Sequence, residues 1–483
     1  MKTSMLLSPE EWAEQTFGSV YAGDQRRSRR VVQMAARIAH DPAGSLPAQM
    51  QEHAMLEAAY RVLHCPDVTY EQLIAPHVQQ TREAARKAER VLLIQDTTEV
   101  DYQQYPTTKG LGPIGKENAH QGFLLQSVLA VVPERREVLG LAYQEPFLRK
   151  SAPAAETDWQ RQFRERESQV WERAVQVIGP PPPGVQWIHV GDRGSDMFPL
   201  LSLCRHMQTD FVVRASQDRC VDLLVEQGET PPAARSHHKA PASQEPRAAS
   251  QHLFAVVGSW ASQDETDLKL DASKKRAART AHLAISWGTV RLLPPRTIST
   301  SAGLHPLVVW VVRVWEPNPP EGVEALEWVL LCSMPIESIA QAWERVDWYR
   351  GRWRVEDYHQ GLKTGCRVEQ RHLQDYESLR RLLGFLGPTA VRLLQLRATA
   401  RQEPEAAASL VLSADVVQVV ATLAHVPVSQ LTAQQAWYKI ASYGGYQGRR
   451  SDGPPGWKTL WKGWFYIQAL VEGVHLASQL SLD

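Results

Sequence analysis

Three carboxylates stand in positions that suit metal-dependent chemistry on phosphodiesters. Asp96 and Asp192 each follow a short apolar run typical of a buried strand, and Glu356 lies in a helical segment. Carboxylates from two strand ends and one helix can hold two Mg²⁺ ions about 4 Å apart, one activating a water or a 3′-OH and the other stabilising the leaving oxygen. The alternative for Asp96 or Asp192 alone is an ordinary turn or helix-cap aspartate.

A stripe of polar residues includes Glu356 on its predicted helix. Its members are spaced 3, 4 and 7 residues apart, which at about 100° per residue places them on one face. They are Tyr349, Arg352, Glu356 and Lys363. The hydroxyl and the two cations can bind phosphates beside the carboxylate. A solvated ladder of i,i+4 pairs is the alternative, but the neighbouring Trp343, Trp348 and Trp353 indicate that this helix is packed.

The elements that must carry these residues indicate an α/β layer with a mixed sheet. A capping box at Ser8 and Glu11 opens a helical region over residues 8–90. Further helices are predicted at residues 155–177, 197–207 and 336–362. Strand-type runs lie at residues 91–98, 123–132, 138–147, 187–192, 210–214 and 327–334.

Residues 216–325 interrupt this alternation. They contain a stretch rich in Pro, Ala and Ser at 228–251, followed by strand-type runs at 253–260, 280–293 and 307–314. We interpret the segment as a β-rich insertion.

Charge is balanced in total but segregated along the chain. Lys and Arg number 53 and Asp and Glu number 53, which excludes a uniformly basic histone-like protein, an acidic tail protein and a fully disordered chain. Residues 25–40 hold five Arg and no acid, and residues 272–315 hold seven basic residues and no acid. A single basic run is commonly a solvated face, but two such blocks favour an anionic partner.

Cysteine usage and hydropathy indicate a soluble protein of a reducing cytoplasm. The five cysteines are scattered and form no C-x-x-C pair, so neither a zinc site nor a disulfide framework is predicted. The N-terminus lacks the apolar core of a signal peptide, and no apolar run approaches 18 residues, so we expect no membrane partner.

The pattern Tyr349-x-x-Arg352-x-x-x-Glu356, completed by Lys363, resembles the Y-R-E-K signature of DDE transposases of the insertion-sequence-4 family. Residues 96–98 and 191–196 resemble the two aspartate motifs of that family. Within the family the chain is most similar to the branch of bacterial transposon five. The similarity continues through residues 23–27, 211–214, 327–331, 391–397 and 457–464.

The resemblance implies an RNase H-like catalytic core with a β-rich insertion, flanked by N-terminal and C-terminal helical domains. It assigns residues 1–70 to DNA-end binding, 71–371 to catalysis with the insertion at about 216–325, and 372–483 to dimerisation. It implies cut-and-paste transposition by strand nicking, hairpin formation, hairpin opening and strand transfer. Asp96, Asp192 and Glu356 then become the catalytic triad, holding two Mg²⁺ ions for which Mn²⁺ can substitute.

The resemblance also implies DNA contacts. Trp328 corresponds to a platform for a base flipped out of the hairpin, where stacking returns about 1–3 kcal/mol; a core Trp on a buried strand is the alternative. Tyr349, Arg352 and Lys363 would bind phosphates around that base, and Arg214 would contact DNA near the site. The N-terminal helix would read the transposon end through Arg26, Arg27 and Arg30. Lys274–Arg279 would hold DNA from the insertion, unless it is a flexible loop.

The implied partners are double-stranded DNA, as transposon ends and target, and a second copy of the chain in a synaptic complex near the bacterial nucleoid. Two rival functions stay open: a non-catalytic, end-binding inhibitor of transposition, and an RNase H-like nuclease without strand transfer. For Trp457, Trp461 and Trp464, spaced 4 and 3 on one helix face, packing is preferred to DNA stacking.

Overall fold

The computed structural model describes residues 7–150, 166–223, 251–270, 278–295, 304–402, 404–410, 412–449 and 453–480. The chain divides into two compact units. Unit 1 comprises Met1–Val170 and Trp353–Asp483, and unit 2 comprises Trp171–Arg352. Within the described part of the chain no helix combines the length and apolar character that a membrane span requires. The predicted loop at 228–251 lies almost wholly outside the described residues.

Helices make up most of unit 1, and several begin at the residues that the sequence indicates. Ser8 and Glu11 form the predicted capping box, and Asp24 caps the second helix by accepting from the Arg27 N–H. The α-helices, α1 to α14 in chain order, are Pro9–Phe17, Gln25–His40, Leu46–Met50, His53–His64, Tyr70–Ala85, Gln169–Ile178, Phe198–His206, Leu253–Gly258, Ile339–Arg350, Trp353–Gln360, Tyr376–Gln402, Ala414–Ala424, Ala433–Tyr443 and Trp457–Leu480.

Strands occur in both units, and the predicted mixed α/β architecture is confirmed. The strands, β1 to β12, are Arg90–Asp101, Gly112–Ile114, His120–Val132, Glu137–Phe147, Gln186–Gly191, Asp210–Arg214, Cys220–Leu223, Gln251–His252, Asp264–Leu270, Arg279–Leu292, Leu307–Trp315 and Glu327–Cys332. In unit 1, β3 pairs antiparallel with β1, β2 and β4. In unit 2 the order is β5-β6-β12-β11-β10-β7-β8, with β5 and β6 parallel and β9 also paired with β10.

The core of unit 1 forms where helices cover its sheet. Strand β3 is buried on both faces from Phe123 to Val132, and both α5 and α11 pack against β4. Two buried polar side chains there satisfy each other: the Gln144 amide donates to the Tyr358 hydroxyl at 2.6 Å. The Arg371 guanidinium is buried and donates to the backbone carbonyls of Pro42, Gly44 and Cys366.

The strand predicted over residues 253–260 is wrong, because this stretch forms helix α8. Leu253, Val256 and Val257 are buried at helical spacing. A short apolar run is compatible with either element, and here its flanks fold it as a helix. The helix predicted at 155–177 is present only as Gln169–Ile178, and residues 151–165 lie outside the described part of the chain.

The continuous helix predicted over residues 336–362 is also wrong. Helix α9 ends at Arg350, α10 begins at Trp353, and a π-helical turn follows at Gly361–Gly365. The Arg352 N–H bonds to the Tyr349 carbonyl, three residues back, and the Cys366 N–H bonds to the Gly361 carbonyl, five residues back. A constant 100° per residue therefore does not hold from Tyr349 to Lys363, and the single-stripe geometry fails.

Candidate functional site

Unit 1 carries two of the three predicted carboxylates on elements that pack against each other. Asp96 lies on β1 opposite Ser127 of β3, is half-buried, and accepts the Thr97 N–H at 2.8 Å. Helix α10, which bears the half-buried Glu356, packs against β1 and β3. Buried Val355 and Tyr358 on either side of Glu356 fix this helix on the sheet. Both carboxylates thus stand on rigid, sheet-anchored backbone.

Unit 2 carries Asp192 directly after β5, at the end where the sequence predicts it. Its carboxylate is half-buried, accepts the Gly194 N–H at 2.8 Å and caps the short 3₁₀ turn Arg193–Ser195. The turn-cap alternative therefore describes its local geometry, and it leaves the second carboxylate oxygen for other contacts.

The second aspartate of the same motif is different. Asp196 is buried, pairs with Arg219 at 2.6 Å, and accepts the backbone N–H groups of Ser216 and Gln217. Its oxygens are engaged in holding the chain after β6, which assigns it a structural role.

The donor types suit Mg²⁺, which prefers carboxylate oxygens. Asp96 and Glu356 stand on packed elements of one unit, and Asp192 belongs to the other. Among the described residues, no three or more His, Cys, Asp or Glu side chains are grouped closely enough to hold a metal ion. The suitability of Asp96, Asp192 and Glu356 for Mg²⁺ therefore rests on their carboxylate oxygens and on their partial exposure to solvent.

The remaining signature residues fall on both sides of the break between α9 and α10. Tyr349 is buried in unit 2, and the Arg352 guanidinium carbon lies 5.9 Å from the centre of its ring. Lys363 belongs to unit 1, within the π-helical turn, and pairs with Glu369 at 3.1 Å. Glu369 also accepts the Asp101 N–H at the end of β1. Sequence reasoning missed this carboxylate partner of Lys363.

Trp328 lines a cavity of about 1100 Å³ within unit 2. The indole is half-buried, and its ring meets the ring of Tyr349 edge to face, with centroids 5.3 Å apart. The alternative of a fully buried core Trp does not describe this side chain. The cavity is also lined by Arg193, Arg214, Phe254, Val257, Gly258, Arg279, Arg313 and residues 322–327.

All three described arginines of the basic block 272–315 are paired within the fold. Arg279 forms two hydrogen bonds to buried Glu316, which hold the pKa of that carboxyl below its usual range. Arg291 pairs with Asp222 at 2.5 Å and Arg313 with Glu327 at 2.8 Å. Acids outside the block therefore neutralise the charge of these three residues, and that the block faces DNA stays a prediction. Lys274, Lys275 and Arg276 lie outside the described residues.

Arg214 and Arg193 differ from these arginines. The Arg214 guanidinium donates to the Glu327 carbonyl at 2.8 Å, a neutral partner. Arg193 is exposed. For both residues no carboxylate of the described chain is found at ion-pair distance, so both keep uncompensated charge at the cavity. Sequence reasoning missed Arg193, although it directly follows Asp192.

The three predicted end-binding arginines occupy α2 in different environments. Arg26 is exposed. Arg27 donates to the Ala22 carbonyl at 2.7 Å and faces the carboxylates of Asp24 and Asp67 at 3.6 and 3.7 Å. Arg30 donates to Gln33 at 3.0 Å. Arg26 is thus the most accessible of the three, and Arg27 helps to hold the turn before the helix.

In the C-terminal helix α14, Trp461 and Trp464 are buried, which confirms packing for these two; the Trp457 side chain lies outside the described part.

Two family models match the chain. One is described as "Transposase DNA-binding" and matches residues 9–68, and the other is described as "Transposase Tn5 dimerisation domain" and matches residues 389–482. A solved structure, "Cryo-EM structure of piggyBac transposase synaptic complex with hairpin DNA", is similar at a TM-score of 0.36 and 8% identity, over 98% of this chain and 78% of that chain.

Proposed function

Because this chain is a Tn5-like DNA transposase by the family models that match both of its ends, we propose that it performs cut-and-paste transposition at a single type of active site. Water attacks a phosphodiester at the transposon end and frees a 3′-OH. That hydroxyl attacks the opposite strand, displaces a second 3′-oxygen and leaves a hairpin. Water opens the hairpin, and the 3′-OH then attacks target DNA.

Asp96, Asp192 and Glu356 are proposed as the ligands of two Mg²⁺ ions, with Mn²⁺ as a substitute. When bound, such ions lower the pKa of an attacking water or 3′-OH and stabilise the leaving oxygen. The observation that carries the proposal is the packing of the Glu356 helix on the Asp96 strand in a chain whose two ends match transposase models. Both side chains are half-buried, so their carboxylates are partly open to solvent.

The DNA contacts follow from exposure and charge. Trp328 is proposed to stack on the base unstacked during hairpin formation, braced by the Tyr349 ring. Arg214 carries uncompensated charge beside it and is proposed to hold a neighbouring phosphate. Arg352 and Lys363 are proposed to contact phosphates nearby, Lys363 with its ammonium oriented by Glu369. Arg26, Arg27 and Arg30 are proposed to act at the transposon end.

The architecture is proposed to be RNase H-like, with β-rich unit 2 strands β7 to β11 as an insertion into the mixed sheet. The match over residues 389–482 supports a homodimer, and the match over residues 9–68 supports binding of double-stranded DNA. Two copies would then hold two transposon ends in a synaptic complex.

The test uses the full chain and a duplex carrying the inverted repeat that flanks its gene. With Mg²⁺ we expect a nicked product followed by a hairpin, resolved on a denaturing gel. Glu356→Gln should abolish both products and keep end binding in a mobility-shift assay. Asp357→Asn is the matched control, because the next residue on the helix points about 100° away, and it should cleave at about the wild-type rate.

Other outcomes would contradict the proposal. Wild-type protein that binds ends and never cleaves would be an inhibitor of transposition. Protein that nicks without making hairpins or joining ends to target DNA would be a nuclease. Nicking by Glu356→Gln at the wild-type rate would remove Glu356 from the active site.

A further inference from the structure

The cavity beside Trp328 has a second aromatic side chain that the proposed function leaves unused. Phe254 lies on the short helix α8 and is 37% exposed, and its side chain lines the same cavity as Trp328. Its helix neighbours Leu253, Val256 and Val257 are buried, so the helix is anchored through one face and presents Phe254 on another. Phe254 is therefore held in the cavity lining as a partly exposed ring on an anchored helix.

Hydrogen bonds from Arg313 link the two segments that carry Phe254 and Trp328. The Arg313 guanidinium donates to the Gly258 carbonyl at the end of α8, at 3.2 Å, and to the carboxylate of Glu327, the residue before Trp328, at 2.8 Å. The Phe254 N–H bonds to the Asp218 carboxylate at 2.9 Å and fixes the start of the helix. Arg313 therefore links helix α8 to the start of β12. This link limits how far Phe254 and Trp328 can move away from each other.

Charge at the cavity is suited to a nucleotide. Arg279 forms an ion pair with Glu316 and Arg313 forms one with Glu327, so both arginines stabilise the segments around the cavity. The described lining holds four arginines and two glutamates, Glu324 and Glu327, so positive charge is in excess there. Arg193 and Arg214 have no carboxylate at ion-pair distance within the described residues. A volume of about 1100 Å³ exceeds that of most small-ligand pockets and admits a nucleotide with its flanking phosphates.

We propose that Phe254 is a second base-stacking wall of this cavity, facing the base that Trp328 receives, with Arg193 as a phosphate ligand at its mouth. The inference rests on the proposed function, because the occupant is the unstacked base of the transposon end. An aromatic ring stacks on any base, so Phe254 adds affinity for the unstacked state without adding sequence preference. It would therefore act in hairpin formation and not in the first nick.

The experiment measures nicking and hairpin formation separately in the full chain, on an end duplex with Mg²⁺. Phe254→Ala should slow hairpin formation roughly 5- to 150-fold, the range expected for loss of one base–aromatic stack, and leave the nicking rate within about twofold. Phe254→Tyr should restore hairpins, and Phe254→Leu, which keeps an apolar side chain without a ring, should not. Val308→Ala is the control, an exposed apolar residue of unit 2 outside the cavity lining.

A fluorescent base reports on the stack directly. 2-Aminopurine placed at each position next to the nick should be quenched at one position in the wild type and less so in Phe254→Ala. Arg193→Gln should weaken hairpin formation and reduce its sensitivity to salt.

Hairpin formation unchanged in Phe254→Ala would overturn the second wall, and so would equal loss of nicking and hairpins in a variant that melts like the wild type. Nicking retained by Glu356→Gln would instead overturn the proposed function, which keeps the two failures distinct.

Discussion

Unit 1 and unit 2 hold different parts of the proposed chemistry. Unit 1 contains Asp96, Glu356 and Lys363 on elements fixed to its sheet, and its buried Gln144 and Tyr358 bond to each other as neutral partners. Unit 2 contains the Trp328 cavity, and its walls are held by ion pairs. Both units are rich in arginine, but in unit 2 several arginines form ion pairs that stabilise the fold.

This difference teaches that a basic run in the sequence overstates the surface available to an anion. It also separates two kinds of variant. Changes to the carboxylates should affect every phosphoryl-transfer step, since all of them are proposed to use one site. Changes in the cavity should affect only the step that unstacks a base.

The largest effect is expected for Asp192 of unit 2, because its substitution should act like that of Glu356 in unit 1. Asp192→Asn should lower nicking by about 10³-fold or more, as Glu356→Gln does, because both would remove a metal ligand. Single-turnover cleavage assays measure this loss. Asp196→Asn, four residues later, should leave nicking near the wild-type rate at low temperature and lower the melting temperature by several degrees, since it weakens a buried pair with Arg219. Equal loss of cleavage in both variants would contradict the distinction between them.

Trp328→Ala should separate the steps of the reaction. We expect hairpin formation to fall roughly 5- to 150-fold while the first nick proceeds at its normal rate, because only the hairpin needs a stacked, unpaired base. Quantified nicked and hairpin products over time give both rates. Trp328→Phe should recover part of the loss. A parallel fall in both rates would assign Trp328 a structural role.

Acid should destabilise both units through buried histidines. Burial lowers the pKa of His77 in unit 1 to about 4 and the pKa of His189 in unit 2 to about 3. Between these values and about 6.5 the unfolded chain binds a proton that the folded chain does not, so stability falls as pH drops below about 6.5. At pH 5 each histidine should cost roughly 2 kcal/mol.

Hydrogen exchange resolved by peptide can assign this loss to each unit. His77→Gln should reduce the pH dependence in unit 1 alone and His189→Gln that in unit 2 alone. His53→Gln, at a highly exposed site, should change neither. An unchanged pH dependence in His77→Gln would show that other groups govern acid stability in unit 1.

The smallest effect is expected at helix α2. Arg26→Ala should weaken end binding several-fold and lower the salt slope by about 1, since an exposed arginine on a phosphate releases one counterion. Arg27→Ala should also weaken binding, in part because its bond to the Ala22 carbonyl holds the turn before the helix. Titrations at several salt concentrations measure both. Arg61→Ala, exposed on α4, should leave the slope unchanged.

Local pattern predicted much of this fold and part of the site. The Ser8 capping box, the apolar strands at Asp96 and Asp192, and the packed C-terminal Trp461 and Trp464 depend on neighbouring residues, and all are present. The break at Gly351 and the π-helical turn at Gly361–Gly365 escaped prediction, because neither alters the apolar periodicity enough to be read. The ion pairs of Arg279 and Arg313 escaped it too, since their partners are distant in sequence: Glu316 directly follows β11 and Glu327 begins β12.

The hydrogen bonds from Arg371 to backbone carbonyls have a consequence for when the chain can complete its folding. Its guanidinium bonds to the carbonyl of Gly44, 327 positions earlier in the chain. At a synthesis rate of about 5–20 residues per second, the N-terminal segment leaves the ribosome tens of seconds before Arg371 exists. The contacts of helices α2 and α4 with α11, and the bond from Arg371 to Gly44, can therefore form only after residues 371–402 have been synthesised. Arg392, whose guanidinium donates to the carbonyls of Leu7 and Ser8, extends the same delay to the first helix.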